Sequence, residues 1–164
     1  MTVYYTYLES PVQLLTLASD GESLTDLRMV ERRHAPQITN DWKRDDNAKP
    51  FAVAKRQLTA YFNGELTEFD LPLRLGGTDF QQRVWRELLK IPFGVTMSYG
   101  EMARHIGNPN ASRAVGAANG RNPISIIVPC HRLIGSNGNL TDYGGGLERK
   151  EWLLAHELRY RKAA

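Results

Sequence analysis

The first thirty residues contain three short runs of apolar and β-branched side chains, a pattern typical of strands. The runs cover residues 3–8, 12–18 and 23–31. The second break between them is Asp20-Gly21, and an Asp-Gly pair between two such runs is a strong signal for a β-hairpin. We therefore expect an antiparallel meander at the start of the chain.

A helical period follows at residues 48–63. Its apolar residues recur at spacings of three and four, which places them on one face of a helix, and Asn63-Gly64 is a typical stop signal. Residues 32–47 are polar without a period, which indicates a surface loop, and residues 66–71 resemble one more strand. The apolar face of the predicted helix consists of Phe51, Ala54, Leu58, Tyr61 and Phe62.

The second half of the chain has a predominantly helical pattern. Residues 78–81 and 98–101 are both capping boxes, in which a Ser or Thr is followed three residues later by Gln or Glu, and each predicts the start of a helix. Further helices are predicted at residues 112–119 and 147–159. The helix after residue 98 and the helix at 112–119 are short and joined by a turn with a glycine, which makes them a candidate helix-turn-helix.

Gly76-Gly77 is the expected boundary between a domain at residues 1–75 and a domain at residues 76–164. Residues 1–75 carry nine Lys and Arg against eleven Asp and Glu, a net charge of −2, whereas residues 76–164 carry twelve against seven, a net charge of +5. A basic half is the electrostatic footprint expected of a nucleic-acid-binding domain, although an ordinary solvated surface can also carry such an excess.

The composition excludes several other classes of protein. Hydrophobic content of 41% and charged content of 24% are typical of a globular domain. No apolar run approaches the roughly 20 residues of a membrane span, and the first residues lack the features of a signal peptide. A single cysteine allows no internal disulfide and no Cys-rich zinc site. We therefore expect a protein of a reducing interior, such as the cytoplasm.

The only cysteine of the chain follows an apolar run that ends at a proline. Residues 126–128 read as a short buried strand, which Pro129 would terminate because proline cannot donate to a ladder. Cys130 would then lie where this strand opens into a loop. A lone cysteine is more often a small buried hydrophobe than a nucleophile, so its neighbours have to decide between the two.

Those neighbours are of the type that a nucleophile needs. A thiol with a pKa of about 8.5 is only a few per cent ionised at neutral pH, so it requires a proton acceptor and a field that favours the thiolate. His131 and Arg132 offer both, provided that a bend after Pro129 or a bridging water connects the imidazole to the sulfur. A carboxylate such as Glu157 would orient the imidazole if the last helix packs behind Cys130. By spacing alone, a surface carboxylate is the better interpretation of Glu157.

Several motifs taken together resemble one protein family. They are Ser112-Arg113-Ala114-Val115-Gly116, Asn122-Pro123, Pro129-Cys130-His131-Arg132, Tyr143 and Lys150-Glu151-Trp152-Leu153-Leu154. In this combination they closely resemble the O6-alkylguanine-DNA alkyltransferases, the methylated-DNA-protein-cysteine methyltransferases. The resemblance covers about residues 78–157, and the first 75 residues match only as a strand-rich N-terminal domain.

The resemblance implies an α+β fold with two parts. The N-terminal part would be an antiparallel sheet with a helix, of ribonuclease H-like type. The C-terminal part would be a winged helix-turn-helix-like domain that carries the cysteine. The implied activity is direct-reversal DNA repair, in which Cys130 irreversibly accepts the alkyl group of O6-alkylguanine, and also of O4-alkylthymine, once per protein molecule.

The resemblance also implies a catalytic role for individual residues. Cys130 is similar to the alkyl acceptor, His131 to the base that acts through water, and Glu157 to the carboxylate that orients it. Asn122 resembles the turn asparagine that ties the recognition helix to the active site. Tyr99 resembles the tyrosine that assists proton transfer to guanine N3.

DNA-binding and pocket residues follow by the same resemblance. Arg113 resembles the finger that fills the stack after a nucleotide is flipped out. Its helix neighbours Ser112, Ala114 and Gly116 would face the minor groove, together with Tyr99. The substrate pocket would be formed by Tyr143, Gly144, Gly145, Leu133 and Met97. Asp142 departs from the family pattern, because relatives usually have a small or neutral residue there.

The implied partner is double-stranded DNA with O6-alkylguanine, bound through the minor groove. The resemblance also implies no cofactor and no metal, and a cytoplasmic location that in a prokaryote would be associated with the nucleoid. The protein would act as a monomer, with cooperative assembly on DNA as an option, and would need no membrane and no obligate protein partner. Two alternatives belong to other classes. One is a non-catalytic alkylated-DNA-binding or helix-turn-helix module, against which the presence of Cys130 counts. The other is a cysteine hydrolase, which would turn over repeatedly.

Overall fold

The chain begins with a meander of three antiparallel strands. The computed structural model describes residues 2–29, 38–135, 138, 143 and 146–161. Strand β1 (Tyr4–Leu8) pairs with β2 (Leu15–Ser19), and β2 pairs with β3 (Leu24–Met29), both antiparallel. This confirms the predicted meander and the turn at residues 20–21, whereas the predicted end of the third strand at 30–31 lies outside the described residues.

The stretch at residues 32–47, predicted as a loop, includes a short strand. Strand β4 (Lys43–Arg44) lies parallel to β1 and completes a sheet of order β3-β2-β1-β4. The backbone amides of Lys43 and Asp45 donate to the carbonyls of Val3 and Tyr5 at 2.8 and 3.1 Å. Both residues of β4 are exposed, as expected of a charged edge strand that has no apolar pattern to predict it.

Helix α1 (Phe51–Phe62) supplies the apolar face predicted for residues 48–63. Phe51, Ala54, Leu58 and Tyr61 are fully buried, and Phe62 packs against the core. The helix ends at Asn63, and Gly64 has φ of 76°, a left-handed conformation that glycine adopts without strain. The prediction that Asn63-Gly64 ends this helix is therefore confirmed.

The strand predicted at residues 66–71 is wrong. Leu66, Phe69 and Leu71 pack against the core, but the backbone forms no ladder there. The amide and carbonyl of Asp70 instead bond to the side chain of Gln57 on α1, at 2.9 and 2.8 Å. The apolar side chains of this segment are buried because they pack against α1. Such packing produces nearly the same alternation of apolar and polar residues as a strand, so the pattern does not separate the two.

The second half contains four helices in its described part. They are α2 (Asp79–Leu88), α3 (Tyr99–His105), α4 (Ser112–Gly120) and α5 (Leu147–Tyr160). Both predicted capping boxes are formed, at Thr78 for α2 and at Ser98 for α3. Trp85 of α2 donates its indole N–H to the carbonyl of Ala118 at 2.8 Å, which fixes α2 against α4. Helices α3 and α4 pack together as the predicted helix-turn-helix pair.

The apolar run before the cysteine is a turn, so the strand predicted at residues 126–128 is wrong. The amide of Val128 donates to the carbonyl of Ile124 at 3.0 Å, and Ile126 has φ of 73°. Every residue of the run is buried. A buried apolar run of this length fits a strand and a buried turn equally well, because burial on all sides removes the period that separates them.

The chain next forms a 3₁₀ turn at Cys130–Arg132 and a short strand β6 (Leu133–Ile134). Strand β6 lies parallel to β5 (Met97–Ser98), so Met97 is the direct neighbour of Leu133. Strand β5 leads straight into α3, which places Tyr99 beside the segment that follows Cys130. Within the described residues, no helix is long and apolar enough to cross a membrane.

A single hydrophobic core includes residues of both halves of the chain. It contains Leu27 of β3, Leu58 of α1, Trp85 of α2 and Leu153 of α5. Backbone bonds also join the halves, since the amide of Leu27 donates to Pro123 and its carbonyl accepts from Ser125, both at 2.9 Å. The edge of the N-terminal sheet thus holds the segment that leads to Cys130.

Candidate active site

Cys130 begins the 3₁₀ turn and is 1% exposed. Its amide donates to the carbonyl of Val128 at 2.8 Å. The turn bends the chain directly after Pro129, which is one of the two ways, besides a bridging water, by which the imidazole was expected to connect to the sulfur. The two residues after Cys130, His131 and Arg132, are buried as well.

The carboxylate of Glu157 on α5 lies behind this turn and accepts five hydrogen bonds. Its Oε2 accepts from His131 Nε2 and from the Tyr61 hydroxyl, both at 2.7 Å, and from Arg132 Nη2 at 3.0 Å. Its Oε1 accepts from Arg132 Nε at 2.8 Å and from the Gly94 amide at 3.2 Å. Glu157 is 1% exposed, so these donors replace water around the charge. The structure places Glu157 against His131, a contact that the spacing alone did not favour and that only the family resemblance implied.

Gly94 can occupy its position because it lacks a side chain. Its φ is 80°, and a Cβ atom there would lie 2.8 Å from the Cβ of Arg161. The turn therefore brings a backbone N–H onto Glu157 that a larger residue would displace.

The charges of this cluster follow from the pKa directions. Burial alone would raise the pKa of Glu157, but the hydrogen bonds and charges of His131 and Arg132 outweigh it and hold the pKa well below its ordinary value of 4.5. Burial lowers the pKa of His131 below its ordinary value of 6.5, although Glu157 acts in the opposite direction. At neutral pH, Glu157 is therefore ionised and His131 is neutral.

These charges assign the tautomer of His131. An ionised carboxylate can only accept a hydrogen bond, so the proton of the neutral imidazole lies on Nε2, which faces Glu157. Nδ1 then carries the lone pair. Nδ1 is buried and has no hydrogen-bond partner among the described residues. The nitrogen available to take up a proton is therefore Nδ1.

Two asparagines connect α4 to the turn that carries Cys130. Asn122 donates to the carbonyl of Val128 at 2.8 Å and accepts from the amide of Ile124 at 3.0 Å. Asn119, the last buried residue of α4, donates to the carbonyl of Cys130 at 3.1 Å. Asn122 had been identified from the sequence, whereas Asn119 had not. The signal for Asn119 was a polar residue on the apolar face of α4, four residues after Val115.

Lys150 is a second residue that the sequence analysis missed as a site residue. It is fully buried on α5 and donates to the carbonyl of Leu133 at 2.6 Å. Its Nζ lies 6.0 Å from the ring centroid of Tyr99. The available signal was its spacing, because Lys150 stands three residues before Leu153 and seven before Glu157, on the same face of the helix. Tyr99, Leu133 and Met97 thus lie together around Lys150, at the strand that follows the turn of Cys130.

Helix α4 exposes the residues expected to contact DNA. Arg113 and Ala114 are exposed, and Ser112 and Gly116 are half-buried. A Cβ atom at Gly116 would lie 3.9 Å from the Tyr99 ring, so this side of α4 faces Tyr99. The exposed end of α4 and the site around Cys130 are therefore linked through Tyr99 on one side and the asparagines on the other.

The wall of the expected substrate pocket is described only in part. Tyr143 is 4% exposed, and its hydroxyl lies 3.9 Å from Sδ of Met29 on β3. Gly144 and Gly145 lie outside the described residues, as does Asp142. Their expected roles stay predictions.

Two surface cavities lie near the site but away from the thiol. One, of about 1000 Å³, extends from Phe69 to Pro129 and Arg132. The other, of about 500 Å³, adjoins Glu157 and Leu158. Cys130 lines neither cavity, so neither is assigned as the substrate pocket. In the described part of the chain, no three His, Cys, Asp or Glu side chains are grouped so as to hold a metal ion.

Comparison with known proteins places this site in a family. A family model described as the ribonuclease-like domain of 6-O-methylguanine DNA methyltransferase matches residues 3–75, and a model of the DNA binding domain of the same protein matches residues 79–159. The two matches agree with the expected α+β architecture of a sheet-containing N-terminal part and a helical C-terminal part.

Individual relatives cover nearly the whole chain. A methylated-DNA–protein-cysteine methyltransferase of Mycolicibacterium paratuberculosis is 56% identical, over 99% of this chain and 96% of the relative. One of Methanosarcina acetivorans is 50% identical, over 94% and 98%. A crystal structure of Mycobacterium tuberculosis OGT in complex with DNA is 57% identical, with a TM-score of 0.91 over 96% of this chain and 94% of that one. The chain belongs to the 6-O-methylguanine DNA methyltransferase family.

Proposed function

We propose that this protein repairs O6-alkylguanine in double-stranded DNA by moving the alkyl group to Sγ of Cys130. The observation that carries the proposal is the order of groups at the buried turn. The only cysteine of the chain is followed by a neutral imidazole whose Nδ1 is buried and unpartnered among the described residues, and whose Nε2 is held by an ionised carboxylate. This is the arrangement of a nucleophile, a base and an orienting acid.

The bonds and protons of the reaction balance without a cofactor. Cys130 gives its thiol proton, through a bridging water, to Nδ1 of His131, and Glu157 stabilises the imidazolium that forms. The thiolate then attacks the alkyl carbon in line, so that the S–C bond forms while the bond from carbon to guanine O6 breaks. The electron pair of that bond stays on the purine, which takes up a proton at N3 with assistance from Tyr99. Exchange with water moves this proton to N1, its position in guanine, and the imidazolium of His131 returns its proton to water. Unmodified guanine and a thioether on Cys130 result.

The reaction ends after one turnover for each protein molecule. A thioether is a poor leaving group, and no second cysteine exists in the chain to displace the alkyl group from Cys130. The protein is consumed by the repair of one lesion.

Access to the lesion requires that the alkylated nucleotide leaves the stack. Flipping a nucleotide costs a few kcal/mol, which an inserted side chain and phosphate contacts can offset. Arg113 is exposed near the start of α4 and keeps its charge, so it fills the gap from the minor groove. Its helix neighbours Ser112, Ala114 and Gly116 are small, so that α4 can approach the DNA backbone closely.

The flipped base is held between the segment after Cys130 and the loop before α5. In our proposal, Met97, Leu133 and Tyr143 line this pocket together with Gly144 and Gly145, and the backbone N–H of Gly144 is the donor to O6. O4-alkylthymine presents a similar alkyl-oxygen bond and is a second substrate. The protein acts as a monomer on DNA in the cytoplasm.

The test is the fate of the alkyl label. Duplex DNA with one labelled O6-methylguanine is incubated in molar excess over the protein, and Cys130 is analysed by mass spectrometry. We expect one label per protein, on Cys130, and none on Cys130→Ser with the same circular dichroism spectrum. Label that is released to water with repeated turnover would identify a hydrolase instead. Binding without transfer would identify a non-catalytic DNA-binding module.

A further inference from the structure

We infer that Tyr61 of α1 is a positioning residue for the alkyl transfer. Its hydroxyl shares one oxygen of Glu157 with the imidazole of His131, and so limits how strongly that carboxylate stabilises the protonated imidazole. The inference rests on the proposed function for its catalytic meaning. Tyr61 lies in the half of the chain in which the sequence shows no catalytic cluster.

The geometry places two donors in competition for the same atom. The Tyr61 hydroxyl and His131 Nε2 both lie 2.7 Å from Oε2 of Glu157. Hydrogen bonds to an ionised acceptor are short and about twice as strong as neutral ones. Each donor withdraws negative charge from the oxygen, so the hydroxyl weakens the attraction of Glu157 for a charged His131.

Tyr61 is held in place independently of its hydroxyl. Its backbone carbonyl accepts a hydrogen bond from His156 Nε2 at 2.7 Å, and its ring packs against Phe69, Phe93 and His156 at centroid distances of 5.5, 5.9 and 5.1 Å. A phenylalanine ring would make the same packing contacts. The four other hydrogen bonds to the carboxylate would remain.

The groups around Tyr61 and His131 keep the Tyr61 hydroxyl protonated, so that it can donate a hydrogen bond to Glu157. Burial, and then the charge of Glu157, raise the pKa of Tyr61 well above its ordinary value of 10.0, with a smaller contribution from Tyr143 in the same direction. The cations facing His131 are Arg132 of the 3₁₀ turn and Lys150 of α5, and both oppose its protonation. His156 of α5 borders Tyr61 on its other side. Because the pKa of Glu157 is lowered and that of Tyr61 is raised, Glu157 stays ionised and Tyr61 stays protonated at neutral pH, and the proton that moves among Tyr61, Glu157 and His131 is that of the imidazole.

The deciding experiment compares pH–rate profiles of Cys130 alkylation. Free O6-benzylguanine is the probe, because it requires no DNA binding. In Tyr61→Phe, Glu157 loses the hydroxyl donor and keeps more negative charge on Oε2. This charge stabilises the protonated imidazole, so the pKa of His131 rises. We expect the acid limb of the profile to move up by about one pH unit, which makes the variant about tenfold slower below the limb and leaves it unchanged above it.

A second variant tests the opposite direction. Site-specific 3-fluorotyrosine at position 61 has a more acidic hydroxyl and is the stronger donor, so its acid limb is expected to move to lower pH. Tyr160→Phe is the matched control, because Tyr160 also borders His156 but forms no hydrogen bond with Glu157 among those of the described residues. Its profile is expected to superimpose on that of the unaltered protein.

The inference is overturned if Tyr61→Phe loses rate equally at all pH values, as a purely structural residue would, or if its profile does not move. If Tyr61→Phe does not fold, the fluorotyrosine profile decides in the same way. An NMR titration of the His131 imidazole without any alkyl donor separates this inference from the proposed function. A raised His131 pKa in Tyr61→Phe supports the coupling even if Cys130 of the unaltered protein accepts no alkyl group.

Discussion

Glu157 accepts hydrogen bonds from three side chains around the turn that carries Cys130, those of Tyr61, His131 and Arg132. Its ionised form fixes the tautomer of His131 and compensates the charge of Arg132, which is 6% exposed and also donates to the carbonyl of Ile91 at 2.6 Å. Removal of one partner from a buried ion pair leaves the other charge uncompensated. Glu157 therefore has a structural role as well as the proposed catalytic one.

We expect Glu157→Gln to be destabilising at neutral pH by about 3–5 kcal/mol, because Arg132 would be buried without an opposite charge. The difference should shrink as pH falls. The folded-state pKa of Glu157 is depressed, so its contribution is present above the ordinary value of 4.5. Below that value Glu157 is protonated in the unfolded chain but still ionised in the folded protein. The free energy of unfolding therefore falls by about 1.4 kcal/mol per pH unit.

Urea unfolding of both proteins between pH 7 and pH 3 checks this prediction. Glu87→Gln is the matched control, because Glu87 pairs with Lys90 and His105 near the surface. An exposed pair of this kind contributes no more than about 1 kcal/mol. A Glu157→Gln difference that stays constant down to pH 3 would mean that Glu157 is already protonated in the folded protein.

At the residue scale, the sequence identified the groups that stand next to one another or in a recognisable motif. Cys130 and His131 are neighbours, and Glu157 was assigned only through the family resemblance. Tyr61 could not be identified in this way, because a tyrosine on the apolar face of a helix is indistinguishable from a core residue. The position of its hydroxyl depends on how α1 packs against α5, which no local pattern encodes.

At the scale of elements, helix α4 joins the surface expected to contact DNA to the buried turn. Its first residues are exposed, while Asn119 at its far end and Asn122 just beyond it hold the backbone around Cys130. Because both asparagines are buried and bonded to backbone groups, a displacement of α4 would be transmitted to the turn. The helix can therefore couple DNA binding to the position of the thiol.

Arg113→Ala tests the role of the exposed end of α4 separately from that of the end that holds the turn of Cys130. We expect alkyl transfer from duplex DNA to fall by about 10²-fold, on the order of 2–3 kcal/mol, since the gap left by the flipped nucleotide would be unfilled. Transfer from free O6-benzylguanine should not change, because Arg113 is exposed at the opposite end of the helix from Asn119. Single-turnover rates with both substrates provide the measurement.

Arg121→Ala is the control, since Arg121 is an equally exposed arginine beyond the other end of α4. It should react at the unaltered rate with free base and retain most of the rate with duplex DNA. Equal losses with both substrates in Arg113→Ala would exclude a role in nucleotide flipping and indicate a damaged helix.

The sequence predicted helices better than buried irregular segments. The starts of α2 and α3 follow from Thr78 and Ser98, whose side chains satisfy backbone groups that a helix leaves open. The segments at residues 66–71 and 126–128 were assigned as strands because their apolar side chains are buried. The backbone of the first segment bonds to a distant partner, Gln57 of α1, and the second follows directly on residues 123 and 125, which bond to Leu27 of β3.

At the scale of the whole molecule, the N-terminal half is part of the environment of the active site. Backbone hydrogen bonds from Leu27 hold the segment before Cys130, and the hydroxyl of Tyr61 reaches Glu157. The side chain of Arg149 on α5 also bonds to Gln13 in the loop before β2. The expected domain boundary at residues 75/76 remains a prediction, but these contacts and the common core favour folding as one cooperative unit.

Leu58→Ala tests this cooperativity. Leu58 is fully buried on α1, and its truncation should cost about 2–5 kcal/mol, because a cavity remains in a core that also contains α2 and α5. If the two halves unfold together, hydrogen exchange of the slowest amides of α4 should lose protection by the same free energy as those of α1, although Leu58 and α4 lie in different halves. Leu158→Ala, at a position 57% exposed, should leave the protection of the amides of α1 and α4 unchanged. Loss of protection in α1 alone would show that the C-terminal half keeps its fold independently, and that the N-terminal contacts with the active site can open without unfolding it.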